Sequence, residues 1–215
     1  MPEGRARAYC ADVIDQQARY GGEFVKLLSA KLERHGHTLP LDRFEANVTD
    51  AMNLMYRDEL FDFVCSVNAF EHIPDPARAL QEIARVLKRG GIAYISFDPI
   101  WTADSGSHYS HRVPDPWAHL VLSDEEFVAR MRESGAEQWE VDEFRFAMNR
   151  VRLPTFETIF FGRARELGLE VAASHSWAGL VSESHRGHTN FQLALKEFPE
   201  CELLTRGLAF ALKRL

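Results

Sequence analysis

Carboxylates and imidazoles fall at a few places in this sequence where chain geometry would present them to a ligand. Asp50 ends the run FEANVTD, and Asp12 lies near the end of AYCADVI. Each would emerge at the carboxyl end of a short strand, where a carboxylate can accept from hydroxyl or amine donors. His72 follows another apolar run, in NAFEH. A neutral imidazole near pH 7 can take a proton from a hydroxyl or an amine. The alternative for Glu71-His72 is structural: setting the loop and capping the helix that follows. Further on, His108, His111 and His119 raise the question of a metal. Their spacing, H-x2-H-x7-H, matches no standard site and nearby acids are not at ligand offsets, so no metal is assigned.

The elements that must position these groups lie mainly between Arg43 and Pro99. Phe44 to Val48 reads as a short strand, and FDFVCSV (Phe61 to Val67) as a buried one in which Cys65 is a small core residue. Asp75-Pro76 opens a helix as N-cap and first helical residue. Leu80, Ile83, Ala84 and Leu87 form its buried face. Lys88 and Arg89 suit its negative end, and Gly90-Gly91 should stop it before the strand IAYISF. Strand, helix and strand at this spacing require a right-handed βαβ crossover in a parallel sheet.

Asp50-Ala51, Phe61-Asp62, Glu71-His72-Ile73 and RVLKRGG, in this order, resemble class I S-adenosylmethionine-dependent methyltransferases of the type 11 small-molecule branch. The resemblance implies a Rossmann-like α/β fold, a mostly parallel sheet with helices on both faces. It implies S-adenosylmethionine as cofactor, with Asp12 on the ribose hydroxyls (Asp15 is the fallback), Asp50 and Ala51 at the adenine, and Ser66 along the methionine end. The alternative for Asp15 is a helix cap; for Ser66, a buried strand hydroxyl. It also implies that the loop bearing His72 borders both cofactor and acceptor, and that the last strand runs antiparallel.

One signature of that family is missing. A glycine-rich loop should follow the first strand, yet only seven residues precede Ala8. Val13-Ile14-Asp15 with Gly21-Gly22 makes a poor substitute, because the glycines come late and no second strand would remain before Phe44. In the family's strand order, 3-2-1-4-5-7-6, losing the first strand leaves the second and fourth roughly 9–10 Å apart with two central edges unpaired. Three explanations stand: Met1 is an internal methionine of a longer chain, the sheet has closed up or is completed by a partner chain, or the N-terminus binds cofactor in a reworked way.

The remaining features set bounds. With 215 residues, 46% hydrophobic and 27% charged, the chain suits one α/β domain with an added segment. A net charge of −7 disfavours nucleic acid as a partner. An odd three cysteines and no long apolar run point to a reduced, cytoplasmic protein without a membrane span. A first helix is expected from about Gln16 to Arg34, with Phe24, Leu27, Leu28 and Leu32 on one face and an interruption at Gly21-Gly22. His35 to Leu41 reads as a loop.

Residues 1–99 form the cofactor-binding part. Residues 100–154 form an inserted lid, with a Ser123/Glu126 capping box, His108 or His111 as alternative bases, and Trp101 and Trp117 for acceptor contact or packing. Phe144, Phe146, Met148 and Val151 should pack the lid back onto the domain. Residues 155–215 complete the same domain, with a helix at Thr155 to Gly168, a strand at Leu169 to Ala173, a loop from His175 to His188, a helix at Phe191 to Phe198 and a strand at Leu203 to Leu212. The expected activity is methyl transfer to an oxygen or nitrogen of a small-molecule or sugar-containing acceptor. The rival is a non-catalytic methyltransferase-like scaffold, and unpaired central edges would give this form a reason to self-associate as a homo-oligomer.

Overall fold

The structure, a computed structural model, describes residues 7–38, 41–179 and 185–215. Parts of the expected loops at His35 to Leu41 and His175 to His188, and most of the segment before Ala8, lie outside the described residues. The chain divides into two compact units, 1–56 and 57–215. Among the described residues, no helix is long and apolar enough to cross a membrane.

In the N-terminal unit β1 (Ala8–Asp12) and β2 (Phe44–Val48) pair in parallel, Ala8 opposite Phe44 and Asp12 opposite Val48. The single helix expected between them is two: α1 (Gln16–Arg19) and α2 (Phe24–Arg34). They part at Gly21 and Gly22, whose φ of +59° and +85° takes them out of the helical region at no steric cost. Asp15 caps α1, accepting from the Ala18 amide at 2.9 Å.

The C-terminal unit holds a four-stranded sheet in the order β3 (Phe61–Val67), β4 (Leu87–Phe97), β6 (Gly207–Arg214), β5 (Leu169–Trp177). β3 and β4 are parallel, while β6 is antiparallel to both its neighbours. The mixed α/β architecture and the antiparallel last strand agree with expectation. Among the described residues β1 pairs only with β2 and β3 only with β4, so the described strands form two sheets.

The connection from β3 to β4 is α3 (Pro76–Val86), with Asp75 accepting from the Arg78 amide at 2.9 Å and Pro76 in the first turn. It ends earlier than Gly90-Gly91. Leu87 is already extended and pairs with Phe61, so Lys88 and Arg89 belong to β4. Sheet pairing overrides the local glycine stop here. Ala79, Leu80, Ile83 and Val86 of α3 are buried, as are Ala93, Ile95 and Phe97 on one face of β4. Phe97 contacts Phe70, Phe156 and Phe160, and Phe160 stacks on Phe210 at 4.1 Å between centroids. The opposite face differs: Phe63, Cys65, Val67 and Tyr94 are exposed. Cys65 is therefore not the core residue its strand suggested.

Residues 100–154 carry α4 (Ala118–Val121), α5 (Asp124–Glu133) and α6 (Gln138–Phe146). The Ser123/Glu126 capping box is formed at the start of α5. Trp101, Tyr109, Phe127, Met131, Phe144 and Met148 make a core of their own, and Trp117 packs with Phe191, Ala194 and Leu203. Both tryptophans are thus packing residues. Phe146, expected to pack inward, is 79% exposed because it sits on the far side of α6 from Phe144.

The helix expected at Thr155 begins at α7 (Leu153–Glu157), passes through a π-helical turn (Thr158–Arg163) and ends in α8 (Ala164–Glu166). β5 runs on through His175 to Trp177, held by pairing with β6. Leu203 and Leu204 belong to α10 (Glu200–Leu204), which follows α9 (Thr189–Ala194), and the last strand starts only at Gly207.

Candidate functional site

In the N-terminal unit Asp12 closes β1. Its Oδ1 accepts from the Ile14 amide at 2.9 Å and its Oδ2 from Gln16 Nε2 at 2.6 Å. It lines a shallow cleft at the carboxyl ends of the two parallel strands with Cys10, Asp15, Gln16 and Asn47, the end at which open α/β sheets bind ligands. Asp50 is exposed in the turn after β2, its Oδ1 accepting from the Met52 amide at 2.8 Å, and half-buried Ala51 shares that turn. Asp50 Oδ2 has no partner among the described residues. Ser66 belongs to the other unit, half-buried in β3 opposite Ile95.

The C-terminal unit brings His72 and His108, distant in sequence, into edge-to-face contact at 4.9 Å between ring centroids. Each ring is tethered by one nitrogen to a backbone carbonyl: His72 Nδ1 to Ala147 at 3.2 Å, His108 Nε2 to Pro99 at 3.1 Å. A carbonyl only accepts, so the tethered nitrogen carries the proton in each neutral ring. The lone pairs are then on His72 Nε2 and His108 Nδ1, neither of which has a partner among the described residues. Burial lowers the His108 pKa, and neighbouring His72 adds to this, against the opposing bond to Pro99. His108 holds a left-handed backbone with φ +64°, uncommon for a residue with a Cβ. Gly106 allows the tight turn before it, since a Cβ there would collide with the Trp101 carbonyl.

The loop that carries His72 is clamped by Asn149. Its Nδ2 donates to the carbonyls of Phe70 at 2.6 Å and Ile73 at 2.8 Å, and its amide donates to the Glu71 carbonyl at 3.2 Å. Nothing in the sequence pointed to Asn149 as a clamp, because the loop carbonyls its side chain holds lie more than seventy residues away. Glu71 was legible only as a loop residue, yet it is 2% exposed with neither carboxyl oxygen hydrogen-bonded. Desolvation raises its pKa to about 7; its own backbone N–H opposes this, and Asp98 adds to it.

The other imidazoles are differently employed. His111 Nε2 lies 3.2 Å from Glu140 Oε1, and the Arg112 guanidinium holds that carboxylate down to about 2. His119 is buried and donates to the Trp101 carbonyl at 2.8 Å, and burial drives its pKa down to about 4. Among the described residues, no group of three or more His, Cys, Asp or Glu is placed to hold a metal.

Residues 4–95 match the methyltransferase domain family. Over 99 residues the chain is 31% identical to the 27-O-demethylrifamycin SV methyltransferase of Amycolatopsis mediterranei (strain S699), a match covering 45% of this chain and 36% of that protein. Over 50 residues it is 40% identical to methyltransferase GfsG of Streptomyces halstedii, covering 23% of this chain and 18% of that one. The chain thus matches about a third or less of the length of these curated relatives. Among solved structures, the geranyl diphosphate C-methyltransferase of Streptomyces coelicolor A3(2), complexed with Mg2+, geranyl diphosphate and S-adenosyl-L-homocysteine, aligns over 98% of this chain and 64% of its own at 11% identity, with a TM-score of 0.53. That likeness concerns the fold. The methyltransferase family's sequence thus lies in residues 4–95, and the α/β fold of the chain is like that of the solved methyltransferase.

Proposed function

We propose that this chain transfers a methyl group from S-adenosylmethionine to an oxygen or nitrogen of a small-molecule acceptor, with His72 and His108 as the bases. The observation that carries this reading is the pair of imidazoles, each fixed through one nitrogen and open at the other. When bound, S-adenosylmethionine supplies an electrophilic methyl on a sulfonium sulfur. Asp12 fits the ribose hydroxyls, because each carboxylate oxygen keeps a lone pair beyond those used by Ile14 and Gln16. Asp50 fits the adenine amine through its open Oδ2, with Ala51 beside it.

His72 or His108 would take the proton that the acceptor loses, and orientation by backbone carbonyls keeps the receiving nitrogen in place. Residues 100–154, which supply His108 and the Ala147 tether, would act as the lid. A net charge of −7 favours a small acceptor over nucleic acid.

A second reading, a non-catalytic methyltransferase-like scaffold, draws support from the described strands, which form two sheets instead of one. Calorimetric titration with S-adenosylmethionine and S-adenosylhomocysteine separates the two. The enzyme reading expects micromolar binding that Asp12→Ala and Asp50→Ala both weaken. Absence of binding by the folded chain would establish the scaffold reading instead. His72→Gln should leave cofactor affinity unchanged and slow transfer about 10²-fold or more.

A further inference from the structure

The C-terminal unit holds a cavity of about 270 Å3 that the reading above leaves unused. Glu59, just before β3, lines it with Gln81 and Arg85, one turn apart on α3, and with Arg214 at the end of β6. β3, seven residues or roughly 23 Å of strand, runs between Glu59 and the loop that carries His72. The cavity is therefore separate from the paired imidazoles.

Its two guanidiniums are differently placed. Arg85 is engaged on every side, with Nη2 2.6 Å from Glu82 Oε2 and Nη1 2.7 Å from Asp58 Oδ1. Glu82 also pairs with Arg78 at 3.3 Å, so these four charges balance. Arg214 is half-buried, and its Nη1 donates to the Leu167 carbonyl. No carboxylate pairs with it among the described residues, and its Nε is buried without an acceptor. Arginine keeps its charge at any working pH, so this group lacks both acceptors and a counter-charge. Its position is fixed by the backbone pairing of Arg214 with Leu169 in β5 and by the Leu167 tether.

Glu59 supplies the opposite charge. Its carboxylate is exposed and has no cation among the described residues. Its backbone is held in the left-handed region, at φ +51°, while its amide donates to the Arg85 carbonyl at 3.0 Å. The Gln81 side chain, which can both donate and accept, is also without a partner among the described residues. The open charges of the cavity are thus one of each sign. Glu59 repels a simple anion and Arg214 a simple cation, whereas a molecule carrying both charges satisfies the two together.

We propose that this cavity binds a small zwitterion of the amino-acid class, with its carboxylate on Arg214 and its ammonium on Glu59. The volume suits one small molecule. The proposal is independent of the methyltransferase reading.

The test is a nuclear magnetic resonance titration of the full chain. Glycine, β-alanine and 4-aminobutyrate space the two charges by one, two and three carbons; butyrate and butylamine carry one charge each. At least one zwitterion should bind tenfold or more tighter than either singly charged compound, and should shift the amides of Glu59, Leu167, Gly168 and Arg214. Arg214→Met and Glu59→Gln should each reduce its affinity to the singly charged level. Glu59 is exposed, so its variant keeps the fold and its loss of binding reports on the ligand alone. Equal binding of zwitterions and single charges, no binding by any zwitterion, or affinity unmoved by Glu59→Gln would overturn the proposal. So would displacement of the zwitterion by S-adenosylhomocysteine, whose own amino-acid end would mark the cofactor pocket as the place of binding.

Discussion

The two units of this chain follow the same strand–helix–strand plan and reach opposite degrees of burial. In the C-terminal unit α3 buries seven of its eleven residues. In the N-terminal unit α2 also carries an apolar stripe, yet none of its eleven residues is buried, and Leu27 is 52% exposed. A stripe announces a helix; burial needs a surface wide enough to receive it. Four strands and a layer of phenylalanines provide that surface for α3, and two strands do not provide it for α2.

The contrast can be broken by mutation. Phe160→Ala, removing a ring stacked on Phe210 at 4.1 Å, should cost about 3–5 kcal/mol in denaturant unfolding, whereas Leu28→Ala in α2 should cost less than about 1. Comparable losses at the two sites would mean that α2 is buried in solution and would end the distinction.

Glu71→Gln sharpens it in the other direction, because the well-packed unit contains one group whose charge is uncompensated. Its folded pKa of about 7 exceeds the ordinary 4.5, so the buried carboxyl destabilises the fold progressively as pH rises through that window. The variant should match wild type at pH 4 and exceed it by up to about 3 kcal/mol at pH 8, as read from paired melts. His119 works oppositely: with its folded pKa lowered to about 4, it should erode stability as pH falls below its ordinary 6.5.

Arg152→Met would strip the cation from Glu202, which is 1% exposed; because Arg152 is itself 45% exposed, a loss of about 2 kcal/mol is expected. The smallest effect compares two N-caps. Asp75→Ala should cost about 1 kcal/mol in global unfolding, while Asp15→Ala should leave the global transition unmoved, since α1 buries nothing.

The candidate site shows the same division between local and distant information. His72 was legible because its chemistry and its loop are local to β3 and α3. His108 stood out only as one of three histidines, and sequence gave no reason to prefer it to His111. The pairing of His108 with His72 depends on a turn that Gly106 permits and on a carbonyl from Pro99. The Asn149 clamp had no local signal at all. Strand ends moved for a related reason: Leu87 and the stretch from His175 to Trp177 are extended because a neighbouring strand pairs with them.

What the sequence determined by itself was whatever local periodicity and capping can encode. That includes the parallel β3–α3–β4 unit, the caps at Asp75 and Ser123, and the methyltransferase-like sequence of residues 4–95. What only the tertiary structure decided was which polar groups lost their water. Glu71, Glu82, Glu140 and Glu202 are alike as letters, and each could have been a solvated surface acid. Folding removed solvent from all of them and gave three an arginine. Desolvation depends on every atom that closes over a group, and those atoms come from all along the chain.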